Sequence, residues 1–122
     1  MEGYRNLKVY ERSYKAALQV YEVSKQFPKE ERYGLTSQIQ RAAVSIPLNL
    51  AEGYAKRSSQ QEFRRFLLMA VGSANEMSVL LDFCKDLGYF SEAEYTGLAS
   101  EYDEIGRMLN VFISAVEKKS GI

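Results

Sequence analysis

Between residues 59 and 118 the chain repeats apolar residues every three or four positions with almost no interruption. Phe63, Leu67, Ala70, Ala74, Met77, Leu81 and Cys84 form one series, and Tyr95, Leu98, Tyr102, Ile105, Leu109, Phe112 and Val116 form a second. This spacing puts all members of a series on one side of an α-helix, whereas in a strand they would alternate between faces. Both series therefore predict long helices packed along heptad-like seams. Ser59 precedes Glu62, and Ser91 precedes Glu94, by the three residues of a capping box, in which each side chain satisfies the other residue's free backbone N–H. Glu92 adds negative charge at the positive end of its helix, and Gly88 stands where a left-handed C-cap is wanted. Helices are predicted over about 60–87 and 91–118, and so short a connection makes them antiparallel neighbours.

The first half follows the same rule. Leu7, Tyr10, Tyr14, Ala17 and Tyr21 form a stripe that stops at Phe27-Pro28, predicting a helix over about 7–26. Leu35, Ile39, Ala42 and Ile46 continue into Asn49 and Gly53, predicting a helix over about 35–55. Four amphipathic helices, with no strand alternation, no internal repeat and no Gly/Ser/Pro linker, specify an all-α protein: one antiparallel up-down four-helix bundle over 1–122 with a fraying "KKSGI" tail.

Pro47 sits inside the second helix. It removes the N–H that would reach the Ala43 carbonyl and crowds that carbonyl, at about 3 kcal/mol in an isolated helix. Gln38, Arg41, Ser45, Asn49 and Glu52 run beside the apolar stripe at three- and four-residue spacing, so the proline lies in a polar seam. Ala42, Ala43, Ala51 and Gly53, with Ala70, Gly72, Ser73 and Ala74 on the third helix, are small enough for a close helix–helix approach. The expectation is a buried or half-buried network of Arg41, Glu52 and Glu76 that fixes register. A catalytic alternative would make Glu52 the acid or base and Arg41 an anion clamp, but no histidine, lysine or second carboxylate stands close by on that stripe.

Composition narrows the function classes. Sixteen basic and sixteen acidic residues cancel, so an electrostatic partner must read a local patch. A single cysteine and no histidine leave no disulfide framework, zinc-finger spacing or Cys/His nucleophile pair, and the expectation is no metal, no cofactor and no enzymatic activity. No run approaches the roughly 18 apolar residues of a membrane span and the N-terminus shows no signal-peptide core, so a cytoplasmic protein without membrane contact is expected.

Two basic clusters are candidates for phosphate contact. Arg5, Lys8, Arg12 and Lys15 line one face of the first helix, and Lys56, Arg57, Arg64 and Arg65 surround the start of the third, with Tyr54 as a stacking neighbour. The competing reading is a solvated surface offset by Glu2, Glu11, Glu22 and Glu62. Tyr10, Tyr14, Tyr21, Tyr95 and Tyr102 fall on core stripes, while Tyr4, Tyr33, Tyr54 and Tyr89 lie near ends and loops. Cys84 takes a heptad position and reads as a small buried hydrophobe.

"FPKEERYGLTSQIQRAAVSIPLNLAEG", followed by "EFRRFLLMAVGSANEMSVLL" and "LGY", resembles the four-helix bundle proteins encoded in intervening sequences of bacterial 23S ribosomal RNA genes. The resemblance is carried most specifically by Arg41-Ala42-Ala43, Ser45-Ile46-Pro47, Asn49 and Ala51-Glu52-Gly53. Tyr10, Leu48 and Ser78 depart from it, standing where tryptophan, a small residue and a glutamate are common. The resemblance implies a ring-shaped homo-oligomer, best known as a homopentamer, and no established activity. It also implies kinship with accessory proteins of diversity-generating retroelements, which bind nucleic acid. The expected function is a non-enzymatic oligomeric scaffold that contacts RNA, DNA or a nucleoprotein through its basic rim. The alternative is a protein–protein interaction module with no nucleic-acid contact.

Overall fold

The computed structural model describes the backbone of residues 3–120 and the side chains of residues 3–118, so Glu2 and most of the "KKSGI" tail lie outside the described residues. Four α-helices follow one another: α1 (Lys8–Ser24), α2 (Leu35–Ala55), α3 (Gln60–Asp86) and α4 (Glu92–Ser120). Short 3-10 turns at Gly3–Asn6 and Lys29–Glu31 precede α1 and α2. There is no strand among the described residues, and the protein is a four-helix bundle. Each helix packs on its two neighbours around a square, with α1 diagonal to α3 and α2 diagonal to α4. Cross-helix bonds give the directions. Arg64 at the start of α3 meets Glu117 near the end of α4, and Gln26 just past α1 donates to Glu94 at the start of α4. Sequential helices run antiparallel.

The helix ends are closed by the residues whose spacing announced them. Glu94 N–H donates to Ser91 Oγ (3.1 Å) and Ser91 N–H to Glu94 Oε1 (2.8 Å), a complete capping box. At α3 only half of the box forms. Ser59 Oγ accepts from Glu62 N–H (3.2 Å), but Ser59 N–H already has the Lys56 carbonyl and the Glu62 carboxylate turns to Arg65. After α3, Tyr89 N–H bonds the Cys84 carbonyl and Gly88 N–H the Lys85 carbonyl, a Schellman closure that needs the positive φ (77°) of Gly88.

The expected stripes of α3 and α4 form the core. Leu67, Met77, Leu81, Cys84, Tyr102, Ile105 and Leu109 are almost wholly buried, joined by Ile39, Ile46 and Leu50 of α2. α1 differs from the reading of its sequence. Its buried side is Val9, Ser13, Ala16, Ala17, Val20 and Ser24, while Tyr14 and Tyr21 remain 49% and 43% exposed. Ser13 and Ser24 can be buried because each hydroxyl donates to the carbonyl three residues back, Tyr10 and Tyr21 respectively. A serine satisfied by its own helix counts as a small core residue, and this rotates the true inward face away from the tyrosine stripe.

α2 passes through Pro47 without interruption. Ser45 Oγ donates to the Ala42 carbonyl (2.8 Å) and is hydrogen-bonded to Ser73 Oγ of α3, and Asn49 Nδ2 donates to the Ser45 carbonyl (2.8 Å). Small residues let α2 and α3 close on each other here. A Cβ at Gly53 would stand 2.9 Å from Phe66 Cβ. Gly72, by contrast, is exposed with open space around it and takes no part in this contact.

Candidate interaction surfaces

The polar seam is divided by the fold. Ser45 and Asn49 are half-buried, Ser45 hydrogen-bonded across to Ser73 of α3 and Asn49 to the Ser45 carbonyl within α2, but Gln38, Arg41, Glu52 and Glu76 are exposed. Arg41, Glu52 and Glu76 make no ion pair with one another or with other described residues, so the expected buried charge network is not formed within the protomer. The reason is geometric. A seam beside the core points its short side chains into the helix contact, while its long ones reach past it into solvent. Arg41 and Glu76 instead line a polar notch of about 620 Å³ with Tyr33, Ser37, Gln38 and Ser73.

Most of the basic candidates are already partnered. Arg12 makes a two-pronged contact with Glu101 (2.7 and 3.1 Å), whose hydrogen bonds raise the guanidinium pKa. Arg65 grips Glu62 in the same way (3.0 and 3.1 Å), which lowers the carboxylate pKa and raises the guanidinium's. Arg64 pairs with Glu117, and Lys15 with Glu11 at 3.2 Å. Lys56 sits 5.7 Å from the centre of the Phe66 ring, and Lys8 lines an apolar pocket of about 530 Å³ with Val9, Met108 and Phe112. The structure therefore does not bring the eight residues together as one patch.

What remains is a cation–aromatic pairing at one end of the bundle. The Arg57 guanidinium stacks 4.1 Å from the Tyr54 ring centre while donating to the Tyr54 carbonyl, and Arg5 lies 4.7 Å from the ring centre of Tyr4. The turn that carries Tyr4 and Arg5 packs against α1 and α2, bringing the two pairs to the same end. Tyr4, Tyr10 and Tyr14 continue from there as a ladder of rings with centroids 5.0 and 6.0 Å apart.

Apolar exposure is the feature that the sequence reading missed. Tyr14, Leu18 and Tyr21 of α1, with Pro47 and Leu48 of α2, line a groove of about 240 Å³ with no charged residue in its walls. On α3, Leu68, Met69, Val79 and Phe83 are 42–55% exposed, as is Leu87 at its C-cap. They stand among polar and charged residues of the same outer side, Arg65, Asn75, Glu76, Asp82 and Asp86. By length and composition alone α3 is apolar enough to cross a membrane, a test that the core helix of a bundle also passes. Here its apolar side faces the bundle core.

The family model of the 23S rRNA-intervening sequence protein matches residues 5–111, nearly the whole of the described chain. The chain belongs to this family. Among solved structures, this intervening-sequence family member is similar to a protein with unknown function from the S23 ribosomal protein family of Bacteroides thetaiotaomicron VPI-5482. The TM-score is 0.78 at 22% identity, over 87% of this chain and 95% of that one. At that identity the likeness establishes the four-helix fold. No curated protein matches the chain. Neither the family's description nor that of the solved structure names a catalytic activity.

Cys84 offers no nucleophile. It is fully buried, and burial pushes its thiol up to about 11. Among the described residues no group of histidine, cysteine and carboxylate side chains is arranged to hold a metal ion.

Proposed function

We propose that this protein is a non-enzymatic building block that assembles with copies of itself into a scaffold, in the closed ring of five that the family resemblance implies. One observation carries the reading: large apolar side chains line the open α1/α2 groove, while Leu68, Met69, Val79 and Phe83 stand exposed among the polar residues of α3. Exposed apolar clusters of this kind mark interaction surfaces. Of the basic candidates, in contrast, Arg12, Lys15, Arg64 and Arg65 are paired with carboxylates of the same chain. Light scattering and sedimentation at micromolar concentration test the reading. A discrete oligomer is expected, and a monomer at every concentration would refute it.

A second reading, nucleic-acid contact by the assembly, draws on the Arg57–Tyr54 and Arg5–Tyr4 pairs, because stacked rings beside guanidinium groups suit unpaired bases and their phosphates. Repetition around a ring would multiply these weak contacts. Binding of a single-stranded RNA should weaken steeply with salt, and Tyr54→Ala with Arg57→Ala should weaken it further while leaving the oligomer intact. No binding even at low salt would leave the protein–protein interaction module.

A further inference from the structure

We propose that the pocket between the start of α1 and the second half of α4 binds a single-chain amphiphile with one negative charge, a free medium-chain fatty acid. The pocket exists because the two helices differ in length. α4 has 29 residues and α1 only 17, and the turn that precedes α1 packs on α1 and α2 and not on α4. Beyond the start of α1, the next turns of α4 therefore lose their neighbour on that side. Met108, Val111 and Phe112, spaced by three and four residues, form one wall, and Leu7 and Val9 form the other, around about 530 Å³. Val111 is left 70% exposed, and Met108 and Phe112 are half-buried. Both the volume and the apolar walls are those of a small-molecule site.

Charge sets the class of ligand. Two cations, Lys8 and Arg107, and one carboxylate, Glu104, line the pocket, leaving a net positive charge. Arg107 is already engaged, reaching Glu104 at 3.2 Å and, outside the pocket, Asp103 at 3.1 Å. Lys8 stands exposed at the rim and pairs with no described residue. An ammonium beside apolar walls is complementary to an anionic head on an apolar chain. The head meets Lys8 and stays hydrated on its outer side, while the chain covers Met108, Val111 and Phe112. A monoanion fits better than a phosphate dianion, whose second charge would face Glu104. Residues 104 to 112 span about 12 Å along α4, which suits a chain of medium length. The pocket shares no lining residue with the α1/α2 groove, so ligand binding is separable from self-assembly.

Decanoate and decanol, which have the same chain and differ in charge, are the probes. Calorimetric titration of the wild type should show one decanoate per chain, and the methyl NMR resonances of Met108 and Val111 should move. Octanoate should bind roughly tenfold more weakly, at about fourfold for each methylene lost from the pocket. Lys8→Glu should weaken decanoate about tenfold and leave decanol unchanged. Val111→Glu puts a charge in the apolar wall and should weaken both ligands by about tenfold or more. Both substitutions fall at exposed positions, so each variant should keep its helical circular dichroism. No decanoate binding at millimolar concentration overturns the proposal. Decanoate binding that neither variant reduces lies elsewhere on the surface and overturns it too, as does wild-type protein that takes decanol as tightly as decanoate. Sedimentation with phosphatidylglycerol vesicles separates the two sources of such a ligand. The protein should remain in the supernatant, and vesicle binding lost in Lys8→Glu would assign the pocket to a membrane lipid and overturn the free fatty acid.

Discussion

Gly53 sets how closely α2 and α3 approach, and replacing it separates two opposing effects. Gly53→Ala places a Cβ 2.9 Å from Phe66 Cβ and 3.4 Å from Phe63 Cδ1. The Phe63 ring can turn, but Phe66 Cβ is fixed to the α3 backbone, so the helices themselves must separate by several tenths of an ångström. Overpacking of this kind costs about 1–3 kcal/mol. Against it stands the gain in helix propensity on replacing glycine by alanine, about 1 kcal/mol at most so near the end of α2. The clash should win, for a net loss of about 0–2 kcal/mol. Gly106→Ala is the control, since a Cβ there meets nothing within 4 Å and should gain about 0.5–1 kcal/mol. The two variants should therefore differ by about 0.5–3 kcal/mol in urea denaturation at one protomer concentration. If Gly53→Ala is as stable as Gly106→Ala, the close approach at residue 53 does not exist and the argument for the α2/α3 contact fails.

Further outcomes follow from the same structure. The Glu31 carboxylate accepts from Leu35 N–H (3.0 Å) at the start of α2 and from the Tyr89 hydroxyl (2.7 Å), bonds that hold its pKa below the ordinary 4.5. A carboxylate with a lowered folded pKa contributes stability above its unfolded pKa and loses it as pH falls through the folded one, so melting temperature should drop below about pH 4.5 less steeply in Glu31→Gln than in wild type. With its thiol near 11 instead of the ordinary 9.0, Cys84 should be alkylated at neutral pH at least about 100-fold more slowly than a free thiol, and fast alkylation in native buffer would contradict its burial. Leu81→Ala, at a wholly buried position, should cost about 2–5 kcal/mol in denaturant unfolding. Arg41→Ala and Glu52→Ala, on exposed and unpaired side chains, should each change protomer stability by no more than about 0.5 kcal/mol, and a multi-kcal/mol loss would restore the buried network.

How much was legible in the sequence depended on how local the cause was. Caps and stripes are settled within a few residues, so Ser91 with Glu94, Gly88, and the heptad runs of α3 and α4 could be read directly and appear in the structure. α1 was misread because the large tyrosines were taken as the core stripe, whereas its inward face is made of small residues, alanine, valine and two serines whose hydroxyls are satisfied within the helix. The charge seam was misread because periodicity gives the direction in which a side chain leaves the helix and not where its charged end comes to rest. For Arg41, Glu52 and Glu76 that end lies beyond the contact, in solvent.

The sequence by itself determined four amphipathic helices, their ends, the antiparallel order imposed by short connections, and the family. Each follows from spacing and caps, interactions within one helix or across one turn. Only the tertiary structure decided which basic residues are held by carboxylates. Arg12 and Glu101 are 89 positions apart, and Arg64 and Glu117 are 53 apart, separations at which no sequence pattern assigns partners. It also decided which apolar residues stay outside. A helix has one circumference, and its two neighbours in the square cover only part of it. For α3 that leaves Val79 and Phe83 facing water, although their side chains are as apolar as those inside.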